Sequence, residues 1–277
     1  MNEPTIEIED MERQFVAEQS RSRRRLFWRQ ITFNFLGVLA FTAMWELLPR
    51  SIPGLNLLLF PPPSGIVDAL LELAQSGELL DDAVASILRA LTGFALGAVS
   101  GIAMGLITAR VVTIRFLTDP ILHGLRSIPT IAVVPLAIVW FGIGEISKVA
   151  LIVWGAFFPI WINSYLGARD ANPILIHSAQ SLGAGRLKVL LWVILPAASP
   201  FIIAGLRQAL SIAFIVMVAA ELVGAATGLG QLIATAQLTF RIDHMFVGLL
   251  ALGVVGFAFD RLFILIVKRL FPWYGHF

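Results

Sequence analysis

The chain has 277 residues, 58% of them hydrophobic and only 14% charged, with a mean hydropathy of +0.85, a balance that excludes an ordinary water-soluble domain. Its net charge of +2 is spread through short segments between apolar runs instead of gathering on one face, which excludes a nucleic-acid partner. Cysteine is absent, which excludes disulfides, thiolate metal sites and thiol nucleophiles.

The first 30 residues turn from acidic (Glu3, Glu7, Glu9, Asp10, Glu12) to basic (Arg21, Arg23, Arg24, Arg25, Arg29) before any apolar run begins. A cleavable signal peptide would place its apolar segment sooner. Residues 1–30 therefore read as a cytoplasmic arm whose arginines anchor the first span at the lipid headgroups, and 31–277 as the membrane domain. A hydrocarbon core about 30 Å thick needs roughly 20 apolar residues per helix. Six stretches qualify, at 31–49, 83–109, 127–143, 146–168, 197–222 and 245–267, so the fold class is an all-α, multi-pass integral membrane protein. With the N-terminus inside, Arg110, Arg115, Arg169, Arg186, Lys188, Lys268 and Arg269 join the N-terminal arginines, leaving Arg50, Lys148 and Arg241 outside. That asymmetry predicts both termini in the cytoplasm.

Between the first two spans, Pro61-Pro62-Pro63 forbids helix and Ser64 can cap an amphipathic helix running to about Ala74, expected to lie flat on the outer surface. The second span carries Gly93, Gly97, Gly101 and Gly105 at four-residue spacing, which clears one helix face for close approach by another backbone. The stretch 112–143 is interrupted by Pro120, Pro129 and Pro135 and made polar by Asp119, His123 and Arg126. Broken helices at membrane depth line cavities or pack inside protein. Pro129 to Trp140 is thus a candidate path lining, with Arg126, Pro135, Arg207 and Glu221 as further candidates.

The loop after the fourth span, 173–196, is the longest cytoplasmic segment beyond the arm. Asn172-Pro173 can open one short helix, and a second can follow the Gly183-Ala184-Gly185 break. Such an elbow is rigid, exposed and joined directly to the fifth span, which is what a pushing partner needs.

This segment resembles the EAA loop of ATP-binding-cassette importer permeases, a pattern of EAA, three residues, glycine, and a downstream I-x-L-P. The triplet falls on His177, Ser178 and Ala179, the glycine on Gly183 and the proline on Pro196, with Ala184, Gly185 and Arg186 completing the turn. His177 stands where the family has glutamate and Ser178 where it has alanine. Phe60 to Ser64, Ser127-Ile128-Pro129, Trp140 to Glu145, Gly205-Leu206-Arg207, Ala219 to Leu222 and Gly228-Leu229-Gly230 look like the nitrate, aliphatic sulfonate and taurine branch. The resemblance implies a permease in the bacterial inner membrane, assembled as two permease copies, expected to be identical, with an ATPase dimer and fed by an extracytoplasmic binding protein. ATP and magnesium would be bound by the partner ATPase. The chain has no G-x-x-x-x-G-K-[ST] phosphate loop of its own, and no cofactor is expected on it.

The rival reading is a secondary transporter or channel coupled through intramembrane charges, for which Glu46, Arg89, Arg207, Glu221 and Asp260 are the candidates. A membrane enzyme is disfavoured, because His123, His177, His244 and His276 are scattered and the adjacent Asp81 and Asp82 diverge by about 100° on a helix.

Overall fold

A computed structural model describes residues 29–30, 32–52 and 56–271, so nearly all of the expected 1–30 arm, and His276, lie outside the described residues. All regular elements among the described residues are helical. They are α1 (Thr32–Ser51), α2 (Pro63–Ser76), α3 (Glu78–Arg110), α4 (Val112–Arg126), α5 (Val134–Phe141), α6 (Glu145–Arg169), α7 (Pro173–Ser181), α8 (Arg186–Val189), α9 (Leu195–Gly224), α10 (Leu229–Leu238) and α11 (Ile242–Leu270). The chain divides into two units, Met1–Val67 and Asp68–Phe277.

In the first unit, Glu46 of α1 accepts hydrogen bonds from the Ser64 amide at 3.0 Å and the Ser64 hydroxyl at 2.9 Å, and it pairs with Arg50 one turn on. Ser64 therefore does not cap α2 as the sequence suggests. It lies in the first turn, and the Glu46 carboxylate takes its amide proton instead.

The second unit is built on α3, α6 and α9. The glycine stripe of α3 meets α6 in strict register, Gly93 against Ile152, Gly97 against Ala156, Gly101 against Ile160 and Gly105 against Ser164. Both number series rise together, so α3 and α6 run parallel. The chain between two parallel spans must cross the membrane once. That crossing is made by α4 and α5, bent by 93° at a break, and among the described residues it brings the spans to six with the five helices that are long and apolar enough alone.

The third span, placed at 127–143 within a proline-interrupted stretch, is indeed broken, but it begins earlier, at Val112, and ends at Phe141. Pro129 has no amide hydrogen and drives Ile128 out of helical geometry, so α4 stops at Arg126 and the chain restarts in a 3-10 turn, Thr130–Val133. Pro120 sits inside α4 without ending it, and Pro135 falls in the first turn of α5, where its missing donor costs nothing.

The second helix of the elbow is likewise not separate. α8 passes through a π-helical turn, Leu190–Ile194, straight into α9, giving 39 continuous helical residues from Arg186 to Gly224. Pro196 cannot donate to the Trp192 carbonyl, and the Leu195 amide bonds Leu190, one residue further back than in an α-helix.

Candidate translocation path and coupling elbow

The break in the third span opens onto a cavity of about 250 Å3 lined by Arg126, Thr130, Gly155, Phe158, Gln208 and Ile212, among others. Gly155 contributes no side chain, and Pro159 has no amide to return to the Gly155 carbonyl, so α6 is locally open there. Asn163, one turn on, is satisfied internally by donating to the Pro159 carbonyl at 2.8 Å. Of the candidate path residues, Arg126 is exposed and borders this cavity, Pro129 is exposed at the break, and Pro135 and Trp140 lie exposed on the restarted half of the span, with Trp140 at 68%.

Glu221 lies elsewhere, fully enclosed. It pairs with the Arg89 guanidinium at 2.7 Å and accepts from the Ser86 hydroxyl at 2.9 Å and the Gly230 amide at 2.9 Å. Arg89 also donates to Glu145 from Nε and Nη2, and to the Thr227 carbonyl and hydroxyl, which engages all five of its N–H groups. The Gly228 amide donates to Asp82 at 2.7 Å and the Leu229 amide to Ser86 at 2.8 Å. The three amides opening α10 are thereby capped by side chains of α3 and α9. Buried charges are costly unless paired, and here opposite charges and backbone donors meet within one network. Arg207, expected to face the interior of the assembly or to pair with a neighbouring helix, reaches Asp260 of α11 at 3.2 Å.

On the orientation predicted by the loop charges, the elbow lies on the inner side. The Asn172 side chain accepts from the Ile174 amide at 2.9 Å and starts α7 with Pro173 in its first turn. α7 ends in a Schellman motif, in which the Ala184 amide bonds the Ala179 carbonyl at 3.0 Å and the Gly183 amide bonds Gln180 at 2.9 Å. Gly183 makes the turn with φ of 82°, a left-handed conformation suited to glycine. Ala179 and Ala184 pack inward with Ala168, Val189 and Ile202, which fastens the elbow to α6 and α9. Its other face carries the exposed His177, Ser178, Gly185 and Arg186, with Ile174, Leu187 and, at 89% exposure, Leu182. Pro196 is exposed where the elbow passes into α9.

Residues 101–272 match the protein family described as binding-protein-dependent transport system inner membrane component. Among curated relatives, the taurine transport system permease protein TauC of Escherichia coli (strain K12) is 33% identical over 91% of this chain and 95% of its own length. The putative aliphatic sulfonates transport permease protein SsuC of Bacillus subtilis (strain 168) is 37% identical over 83% of each chain. The chain belongs to this family of inner-membrane permeases. It is a multi-pass translocation subunit of an ATP-binding-cassette importer, and the family works with an ATPase and a binding protein. The permease also shares its fold with a solved amino acid ABC transporter, at a TM-score of 0.57 and 17% identity over 72% of this chain and 97% of that one.

The capping network of the permease escaped sequence reasoning as a unit. Arg89, Glu221 and the Gly228-Leu229-Gly230 turn were each visible, but nothing in the sequence joins residues 132 positions apart. Glu145 was visible at the end of the Trp140 to Glu145 stretch, but Lys148, Ser86 and Asp82, which complete the network, carry no motif. A second cavity, of about 290 Å3, lies among Glu72, Ser76, Thr235, Arg241 and His244, and sequence reading gave no sign of it.

Proposed function

We propose that the permease carries a small organic sulfonate, of the taurine or alkanesulfonate class, handed over by a binding protein and driven by an ATPase dimer seated on the α7–α8 elbow of each of two identical permease copies. The observation that carries this reading is the elbow itself. It closes through a Schellman turn, exposes Ile174, Leu182 and Leu187 beside His177 and Arg186, and passes through α8 into α9 without a helix break, so a push on the elbow is passed to that span. The sulfonate class is supported by two curated relatives whose alignments cover most of both chains. ATP and magnesium belong to the partner in this reading.

The ion-coupled alternative is disfavoured by the charges it would need. Glu46 is held by Arg50 and Ser64, Arg89 by Glu145 and Glu221, and Arg207 by Asp260. The test is uptake of labelled taurine into proteoliposomes containing permease, ATPase and binding protein. Uptake is expected to require ATP inside and to survive collapse of proton and sodium gradients. Uptake that follows an ion gradient without ATP would overturn the proposal.

A further inference from the structure

The cavity at the break of the third span has a depth and a chemistry that the family match does not specify. Gly155 and Pro159 stand ten and fourteen residues after Glu145 in a helix of 25, and Gln208 and Ile212 stand near the middle of α9. The cavity is therefore halfway along both helices, at the level where a bilayer is most hostile to charge. Arg126, exposed at the end of α4, borders it nonetheless. Among the described residues its guanidinium has no ion-pair or hydrogen-bond partner, in contrast to Arg89, Arg110, Arg207 and Arg241. Thr130 and Gln208, the other polar side chains on the wall, make no side-chain hydrogen bond there either. The remaining wall is apolar, with Phe158, Ile162 and Ile212.

We infer that Arg126, with Thr130 and Gln208, is the anion-recognising site of the translocation path, taking the sulfonate head while Phe158, Ile162 and Ile212 receive the alkyl portion. This rests on the sulfonate reading above. A guanidinium carries five donors in a planar fork and stays charged at any physiological pH, which suits an oxyanion with three acceptor oxygens. A hydroxyl and a carboxamide supply further donors. Among the described residues no acidic side chain lines the cavity, so none there competes with an arriving anion for Arg126. The volume, below the roughly 300 Å3 at which drug-sized pockets begin, matches a solute of a few heavy atoms.

The natural absence of cysteine allows a direct test in the full complex with ATPase and binding protein. Arg126→Gln is expected to lower uptake about ten- to a hundredfold, the loss expected for charged hydrogen bonds, with the complex still assembled. In Arg126→Cys, a thiol reagent bearing an ammonium group is expected to restore part of the uptake, and one bearing a sulfonate group to restore none. Turnover with an alkanesulfonate should slow modification of that thiol several-fold, whereas a neutral sulfone of the same size should not. Should Arg126→Cys fail to assemble, Gln208→Cys carries the same protection measurement. Equal rescue by both reagents, or a modification rate indifferent to sulfonate while the wild type transports it, overturns the inference alone. Loss of the two-copy complex in Arg126→Gln, regained in Arg126→Lys, also overturns it in favour of a contact between copies. No sulfonate uptake by the wild-type complex removes the functional reading and this site with it.

Discussion

The Glu221 carboxylate of α9 lies 2.7 Å from the Arg89 guanidinium of α3, with Glu221 wholly excluded from solvent. Arg89→Ala leaves the buried Glu221 carboxylate without its counter-charge and is expected to destabilise the permease by about 3–5 kcal/mol, whereas Glu221→Ala leaves Arg89 on Glu145 and is expected to cost less. Replacing both, as Arg89→Met with Glu221→Leu, should cost less than the two single changes together. Thermal unfolding in detergent of the four proteins measures this coupling. Additive losses would mean that the pair does not act as a unit.

The parallel contact of α3 and α6 depends on absent side chains. A Cβ at Gly105 would lie 2.5 Å from the Ser164 Cβ and 2.7 Å from the Trp161 carbonyl oxygen, whereas at Gly37 it would meet nothing within 4 Å. Alanine gains up to about 1 kcal/mol in helix propensity over glycine, but overpacking costs about 1–3 kcal/mol. Gly105→Ala is therefore expected to lower the detergent melting temperature, and Gly37→Ala to leave it unchanged or raise it. Equal effects would remove the close-contact account of the stripe.

Glu72 of α2 receives two hydrogen bonds from Arg241 at the turn before α11, at 3.2 and 2.9 Å. Arg241 thereby holds the Glu72 carboxyl below the ordinary glutamate range. A carboxyl whose folded value is depressed stabilises the structure above its unfolded value and loses that contribution as pH falls through the folded one. The tie between α2 and the α10–α11 turn should thus be constant from pH 8 to pH 5 and release only in stronger acid. A spin-label distance between Gln75→Cys and Gln237→Cys is expected to be flat over that range, and broadened at every pH when Glu72→Gln is added. A broadening that sets in between pH 7 and 5 would show that the Glu72 carboxylate is not what holds the tie.

Orientation is tested with single thiols and an impermeant label. Gln75→Cys should react from outside intact cells, and Arg24→Cys and Gly185→Cys only after the membrane is opened. Reaction of Arg24→Cys from outside would invert the topology.

Membrane residence, the order of the spans and the elbow were legible because each depends on local composition. Twenty apolar residues announce a span wherever they fold, and Asn172-Pro173 and Gly183 punctuate α7 from within it. What stayed hidden depends on meetings across the chain. The Arg126 cavity needs Gly155 of α6 and Gln208 of α9, and the α10 caps need Asp82 and Ser86 of α3. The 93° bend was foreshadowed by Pro129, but proline fixes only where a helix stops and not the angle at which the next begins. The π turn before Pro196 escaped for the same reason, since a proline in the sequence does not say whether the helix ends or widens.

The central claim, that the elbow transmits ATP hydrolysis into movement of the spans, is met most directly by Gly183→Val. Among the described residues, no atom beyond its chain neighbours lies within 4 Å of the place a Cβ would take, so the substitution acts through backbone conformation. A β-branched residue at φ of 82° is strained by about 1–2 kcal/mol or more, which deforms the Schellman turn and leaves the spans untouched. The measurement is taurine moved per ATP hydrolysed in proteoliposomes, with copurification of the ATPase alongside. The account predicts a permease that inserts normally, holds its ATPase weakly and moves essentially no solute. Wild-type copurification with a wild-type ratio of solute to ATP would contradict it.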